Sequence, residues 1–561
     1  MNSMNAEQIR EMLLSVTDRV IRNEPYLTRI DSAIGDGDHG IGMKNGMMAA
    51  ASYLKQAESE KNIYALFSQM AEKMQEAMGG ASGMIFSTLF AGNASAKTPT
   101  ETITPDEFAS LMQEGLLAIQ ELGHANVGDK TMVDALSPAV DAMLSRTASF
   151  EEMLTAGAAA AKEGMERTKD FVARFGRAKN LGDRVLGHSD AGASSTWLIL
   201  LQMADYVCQT TTDDPQISGE SASVPETEVK WKKKLINDPA DVVKEEGAGF
   251  LAAFGKHYAA VEGVNGLVKK EIPDGKTALV VGGGSGHEPM FGFFIGENLA
   301  DAAANGNVFT SPDPVTITQT ARAANRGGGI IFLYGNYSGD NMNFDKAAAI
   351  LEAEGIPTRT VRIRDDITSA PRERISDRRG IAGDVLAMKI AGAACASLPL
   401  DDAFRVCCKA RDNLYSVGIG LEGATIPGQK EPIFTLPPDE MEYGLGIHGE
   451  PGVRRVKMQT ADEITESLLN AILEDSGIKA GDTVCTYVNG LGSTTLMELM
   501  IMNRKLAELL AQKGILVHDM DVNSLVITME MAGASISLMK MDEELLHYYD
   551  MPCWSPYYKK P

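Results

Sequence analysis

Apolar residues in the first 208 positions recur every three to four residues. IREMLLSVTDRVIRN, LFSQMAEKMQEAM, FASLMQEGLLAIQEL, MVDALSPAVDAML, FEEMLTAGAAAAKEGMERT and STWLILLQMADYV each carry such a stripe, which predicts an almost wholly helical region. After residue 230 the period changes. TALVVG (277–282), GIIFLYG (329–335), TRTVRI (358–363), DTVCTYV (482–488) and SLVITME (524–530) predict short strands flanked by glycines or helical patterns, as in layered α/β folds. The stretch TTTDDPQISGESASVPETEVK (209–229) is polar and lacks apolar periodicity, so it reads as an exposed linker whose ends average about 25 Å apart. The expected organisation is multidomain: an all-α domain at 1–208, a linker at 209–229 and an α/β domain at 230–561. The last is expected to form two lobes with a boundary near 380–400.

At 561 residues the chain exceeds what one hydrophobic core can hold. A net charge of −24 repels nucleic acid and anionic membranes, which excludes both as non-specific partners. An anionic ligand remains possible where a metal ion or backbone N–H groups reverse the field locally. The six cysteines are scattered and form no C-x-x-C pair, which argues against a disulfide framework or zinc site and fits a reducing cytoplasm. MNSMNAEQIREMLLSV reads as a helix start and not a signal peptide, and no apolar run reaches the roughly 18 residues of a membrane span. The expected location is the cytoplasm.

Four polar loops, AIGDGDHG, GGASG, HANVGDK and GHSDAGAS, interrupt the helical region. Any one could be a plain helix connection; four together point to a shared site at one end. Asp31, Asp36 and Asp38 lie within eight residues and repel one another unless a cation neutralises them. Hard oxygen ligands of this kind suit Mg²⁺, and Gly35, Gly37 and Gly40 let the backbone turn to gather them. A solvated, Asp-rich helix entry is the plain alternative. GGASG opens the helix MIFSTLF, where backbone N–H groups near Ser82 form a phosphate seat; close helix packing would also use such small residues. Gly123 and Met132 are placed to flank an adenine. Asp129 and Lys130 are expected to hold that loop, with a surface or phosphate-contacting lysine as the alternative. GRAKNLGDRVLGHSDAGASS offers Arg177, Arg184, His188, Asp190 and Gly192. No Walker A string and no protein-kinase set occurs, so nucleotide binding would rest on another fold.

In the α/β region, VVGGGSGHEP follows a predicted strand and supplies Gly284, Ser285, Gly286 and His287. A dinucleotide fingerprint would need glycine where His287 stands, so the dense glycines read instead as close backbone approach to a small polar ligand. GIIFLYG runs into NYSGD and puts Asp340 at a strand's carboxyl end, where open α/β sheets bind ligands; a turn-capping aspartate is the plain reading. His448 sits in GLGIHGEPG among glycines that strip away neighbouring side chains. A neutral imidazole there is nucleophilic enough to add to a ketone carbonyl.

The strings GDGDHG, GGASG, GDKTM, GGGSGHEP, NYSGD and GIHGEPGVRR together resemble the dihydroxyacetone kinases, over nearly the whole chain apart from the linker. The resemblance implies an L-type nucleotide domain, a barrel of eight antiparallel helices binding ATP or ADP with Mg²⁺, followed by a K-type domain of two α/β lobes. This order reverses that of the familiar single-chain enzymes. It implies Asp31, Asp36 and Asp38 as Mg²⁺ ligands, and nucleotide contacts from His39, Ala81, Ser82, Gly123, Met132, Arg177, Asp190, Ala191 and Gly192. Gly284, Ser285, Gly286, His287 and Asp340 would bind a short ketose. His448 would hold it as a covalent hemiaminal while Asp340, assisted by His287, accepts the proton of the hydroxyl that attacks the γ-phosphate. A homodimer through the K-type domain is also implied.

Three positions depart from the family pattern. Gly42 stands where asparagine is common, Ala191 where proline is, and Gly335 where many dihydroxyacetone-specific members place a sugar-contacting lysine. Losing that lysine opens space and removes a charge, so the expected substrate extends to erythrulose. Two other readings belong to the same resemblance: recharging of bound ADP by a phosphocarrier of the sugar phosphotransferase system, and a non-enzymatic ketose-sensing co-regulator.

Overall fold

The structure, a computed structural model, describes residues 1–35, 37–215 and 234–561. Most of the expected linker, from residue 216 onward, lies outside them, as does Asp36. Contacts divide the chain into two units, 1–226 and 227–561.

The first unit is mostly helical. Its helices among the described residues are α1 (Ala6–Arg22), α2 (Glu24–Ile34), α3 (His39–Gln56), α4 (Ile63–Met78), α5 (Gly80–Ala91), α6 (Pro105–Gly123), α7 (Val133–Leu144), α8 (Phe150–Arg167) and α9 (Ala191–Cys208). Local signals start them. Asn5 with Gln8 and Thr104 with Glu107 close capping boxes on α1 and α6, while the Ser149 and Asp190 side chains cap α8 and α9. The apolar stripes meet in one core that includes Ile9, Met43, Phe67, Phe108, Leu136 and Leu198. From α3 to α9 each helix packs on the next, and α1 packs on both α3 and α9. This up-and-down order brings the connections before α3, α5, α7 and α9 to one end.

Apolar spacing had not foretold α2 and α3. The latter is rich in glycine, a poor helix former, and tertiary packing overrides that cost. A Cβ on Gly40 would lie 2.2 Å from Thr28 Oγ1 and 2.6 Å from the Glu24 carbonyl, and one on Gly46 would meet the Met78 side chain at 2.3 Å. Gly40 therefore lets two helices approach, and does not turn the chain as expected. Gly37, with φ of 75°, does sit in a left-handed turn.

The second unit is mixed α/β with two six-stranded sheets. Helix α10 (Val242–Phe254) precedes the first, which contains β3 (Tyr258–Val261), β4 (Gly266–Lys269), β5 (Ala278–Ser285), β6 (Ala302–Val308), β7 (Ile330–Gly335) and β8 (Thr358–Ile363), numbered after two short strands at 4–5 (β1) and 102–103 (β2). Their order is β3-β4-β6-β5-β7-β8, with β6, β5, β7 and β8 parallel. Every residue of β5 and β7 is buried, as expected for strands covered on both faces. The crossovers are α11 (Pro314–Ala324) and α12 (Ser338–Ala353). Residues 384–412 form α13 (Asp384–Ser397) and α14 (Leu400–Asp412), and α13 packs on β5 and β7.

The second sheet has the order β11-β10-β9-β14-β12-β13. Its strands are β9 (Leu414–Glu422), β10 (Glu440–Tyr443), β11 (Arg454–Lys457), β12 (Thr483–Gly490), β13 (Leu516–Asn523) and β14 (Ala532–Met541), with helices α15 (Ala461–Ser476), α16 (Leu496–Gln512) and α17 (Glu543–Tyr549). The expected strand at 524–530 is absent: the segment crosses from β13 to β14 in extended and turn backbone. Its polar groups find partners outside a ladder. Asn489 accepts from the N–H groups of Leu525 and Val526 and donates to the Val526 carbonyl, while Met529 N donates to the Gly286 carbonyl at 2.9 Å. The apolar run reports burial of Leu525 and Val526 and not strand pairing. Among the described residues no helix is long and apolar enough to cross a membrane.

Candidate active site

Two constellations form, one in each unit. In the helical unit, Asp31 on α2 and Asp38 at the start of α3 are drawn together by the His39 N–H, which donates to Asp31 Oδ2 at 3.3 Å. Gly35 makes this possible, because a Cβ there would lie 2.4 Å from Asp31 Oδ1. Arg177 reaches Asp38 at 3.4 Å. Among the described residues no group of three or more His, Cys, Asp or Glu side chains converges as a metal site, and the third aspartate of the loop is Asp36. Two half-buried carboxylates beside a loop that must close on itself are chemically suited to a hard divalent cation.

His39 is buried, with Nε2 2.8 Å from Ser195 Oγ and Nδ1 3.3 Å from Ser82 Oγ, so it ties α3 to α5 and α9. Burial lowers its pKa and keeps the ring neutral. Ala81 and Ser82 lie in the first turn of α5. A Cβ on Gly192 would sit 3.3 Å from the Met132 Cβ, so the loops before α7 and α9 meet. Among the described residues, no atom lies within 4 Å of where a Cβ would project from Gly123 or Gly42.

The loop before α7 is built from inside. Asp134 accepts from the N–H groups of Gly128 and Thr131 at 2.5 and 2.7 Å, and Asp129 accepts from Asn126 N at 2.8 Å. Lys130, in a left-handed conformation and buried, donates to the Thr168 and His188 carbonyls at 2.5 and 2.6 Å. It is a clamp between loops, not a surface lysine. Asp190 caps α9 through Ala193 N at 2.7 Å, and burial, reinforced by the charge of Asp134, pushes its carboxyl up to about 7.

In the α/β unit the glycine loop ending β5 carries His287, which is fully buried. Its Nδ1 lies 2.6 Å from the Ile527 carbonyl, which can only accept. The proton therefore sits on Nδ1 and the lone pair on Nε2. The loop is sewn to the 525–529 segment by Ile527 N to the His287 carbonyl and Met529 N to the Gly286 carbonyl. Gly286 has φ of 99°, and a Cβ there or on Gly284 would strike Phe309 at under 3 Å. Ser285 Oγ donates to the Gly306 carbonyl at 2.9 Å.

His448 faces His287, with ring centroids 4.8 Å apart, and is flanked by Tyr337 at 4.7 Å and Phe309 at 5.7 Å. Glu450 holds it twice. The His448 N–H donates to Oε2 at 2.9 Å and Nδ1 lies 3.1 Å from Oε1. A carboxylate at Nδ1 places the proton there and makes Nε2 the nucleophilic atom. Arg379 bonds Asp366 at 2.7 Å and stands 3.9 Å from Glu450. Only glycine fits at 446, where a Cβ would lie 2.1 Å from Glu450 Oε2. Asp340 is in the first turn of α12, three residues after Tyr337. Glu450 and Arg379 were missed from sequence. The Glu450 signal was present in GIHGEPG, two residues after the histidine; Arg379 carried none.

Residues 248–557 match the Dak1 domain model and residues 33–205 the DAK2 domain model. The chain belongs to the dihydroxyacetone kinase family. It places the L-type, nucleotide unit before the K-type, ketose unit. Among its relatives is the dihydroxyacetone-binding subunit DhaK of PTS-dependent dihydroxyacetone kinase 2 of Listeria innocua, 39% identical over 330 residues, or 58% of this chain and 99% of that one. L-erythrulose kinase of Pectobacterium atrosepticum is 40% identical over 332 residues, 58% of this chain; the match spans only 56% of that relative's length. The dihydroxyacetone kinase of C. freundii, solved in complex with AMP-PNP and Mg²⁺, aligns with a TM-score of 0.53 at 26% identity, over 57% of this chain and 60% of its own.

Two acids of the K-type unit are expected to make its stability depend on pH. Glu246 on α10 and Glu288 beside the glycine loop line one cavity. Burial, then the charge of Glu288, pushes Glu246 up to about 8, and burial raises Glu288 as well, against the Gly286 N–H that donates to it. Raised carboxyl pKa values mean that the folded state holds the proton more tightly. The stability they contribute is present below the ordinary glutamate range and lost as pH rises toward 8. Glu246→Gln should flatten the fall in melting temperature between pH 5 and 8.5 relative to wild type, by on the order of 2 °C. Parallel curves for the two proteins would refute the assignment.

Proposed function

We propose that this chain transfers the γ-phosphoryl group of ATP to a terminal hydroxyl of a short ketose held covalently on His448. The observation that carries this reading is His448 itself: a buried imidazole whose Nδ1 is bonded to Glu450 and whose ring faces a second histidine of the same tautomer. Its Nε2 adds to the ketone carbon as the carbonyl π pair moves onto oxygen; the Nδ1 proton passes by way of Glu450 Oε1 to solvent and the oxygen takes up one proton from solvent, so that one N–H is exchanged for one O–H. Polyols lack the carbonyl and are excluded. Asp340, assisted by His287, accepts the proton of the terminal hydroxyl as it attacks phosphorus.

In the L-type unit, Asp31 and Asp38 are suited to hold Mg²⁺, with Asp36 as the third ligand. The bound cation would neutralise phosphate charge. His39, Ala81, Ser82, Gly123, Met132, Arg177 and Asp190 to Gly192 surround the nucleotide in this reading. The AMP-PNP and Mg²⁺ of the C. freundii relative support it. The packing of α1 on α3 and α9 supports a closed barrel of eight helices with α2 outside it. A two-lobed K-type unit, a homodimer through that unit and a cytoplasmic location complete the proposal.

Gly335 and the erythrulose kinase relative favour a ketotetrose over the triose. The test is steady-state kinetics of the purified chain with ATP and Mg²⁺ and no phosphocarrier. ADP release is expected with dihydroxyacetone and erythrulose and not with glycerol, with kcat/KM about 10-fold higher on one erythrulose enantiomer. Turnover only when a phosphocarrier is added would replace ATP as donor, and a strong triose preference would remove the tetrose reading.

A further inference from the structure

Asp384, the first residue of α13, is fully buried, and neither carboxyl oxygen has a hydrogen-bond partner among the described residues. Buried polar groups are normally answered, and its neighbours are. Asp365 accepts from the N–H groups of Ile381 and Gly383 at 2.8 and 2.9 Å, and Asp366 accepts from Arg379 at 2.7 Å. An unanswered buried carboxyl is costly, so its retention points to a partner that arrives from outside the chain.

The turn leading into α13 lies against the end of β7: a Cβ on Gly380 would sit 2.6 Å from the Gly335 Cα, so the two backbones touch. Tyr337 donates from its hydroxyl to the Gly380 carbonyl at 3.0 Å, and its ring meets His448 edge-on. That ring also stands 3.3 Å from where a Cβ at 335 would project, so it fills part of the space the missing side chain leaves. Helix α13 packs on β5 and β7, the strands whose carboxyl ends carry Gly284, Ser285 and Gly335. Burial and the charges of Asp365 and Asp340 raise the Asp384 pKa well above the ordinary carboxylate range. A neutral carboxyl can both donate to and accept from a hydroxyl.

We propose that Asp384 determines ketose length, its carboxyl hydrogen-bonding a hydroxyl on the part of the substrate that a ketotetrose has and dihydroxyacetone lacks. The inference rests on the reading of this unit as a ketose site. Gly335 leaves out a side chain whose place the Tyr337 ring fills only in part, and Asp384 supplies the polar group that makes the remaining room selective. A site built to bond a hydroxyl rejects the analogue without it far more strongly than an apolar pocket could.

The test compares wild type, Asp384→Asn and Asp384→Ala on two ketoses, by kcat/KM and by occupancy of the covalent adduct in intact mass spectra. Asp384→Ala should lower both quantities for the preferred erythrulose by roughly 10- to 100-fold and change those for dihydroxyacetone by less than about 3-fold. Asp384→Asn, of equal volume and still able to bond a hydroxyl, should stay within about 10-fold of wild type on erythrulose. The ratio between ketoses is internal to each variant, so partial loss of folded protein cancels. Equal changes on both ketoses, or none, would overturn the role of Asp384 while leaving the ketose site in place. Absence of any adduct and any turnover in wild type would instead remove the ketose reading, and this inference with it.

Discussion

Replacing His448 by alanine should abolish the ketose adduct and lower kcat/KM by ~10³-fold or more. The ring is held by Glu450 at both its backbone N–H and Nδ1 and is walled by Tyr337, Phe309 and His287. Its removal takes away the nucleophile and the Nδ1 contact to Glu450 Oε1, while the backbone N–H of residue 448 still donates to Oε2. His287, whose ring lies 4.8 Å from that of His448 and whose Nδ1 is held by the Ile527 carbonyl, is the neighbouring imidazole against which the variant tests the assignment. Intact mass spectra of protein incubated with ketose, with and without borohydride trapping, read the adduct directly, and a melting curve confirms that the variant is folded. Persistence of the adduct would move the nucleophile elsewhere.

Asp340→Asn should separate binding from chemistry. The adduct should form at near-normal occupancy, while kcat falls by roughly 10²- to 10⁴-fold, the range a positioned general base contributes. An amide keeps the size of the side chain at the start of α12 but cannot take the hydroxyl proton. Loss of the adduct together with kcat would make Asp340 a binding residue, and a kcat within about 10-fold of wild type would remove it from proton transfer. The pair of variants thus assigns the two steps to different residues by different readouts.

The candidate residues of this site stand out in the sequence, and the reason is local. His287, Asp340 and His448 lie in strings where glycines crowd a chemically able side chain. Such strings stand out because glycine density is a cost that ordinary core packing does not need. The same logic overreached twice. Gly40 proved to serve helix packing, since an apolar or small residue's role depends on what crosses it, and SLVITME proved to be a buried crossing segment because burial and strand pairing leave the same apolar run. Lys130 shows the reverse case: a lysine in a polar loop is ambiguous by itself, and only two carbonyls from residues 38 and 58 positions away make it a clamp.

Periodicity and the six loop strings settled the helical first unit, the α/β second unit and the family, because helical and strand periods and turn chemistry are properties of neighbouring residues. The folded chain decided the rest. It fixed the tautomers of both histidines, placed Glu450 and Arg379 behind His448, joined the 525–529 segment to His287, set Gly380 against Gly335 and buried Asp384. Apart from the Glu450 contact, two residues along the chain, these are contacts between distant segments. No spacing rule specifies them, since they arise only when separate elements compete to satisfy the same buried polar groups.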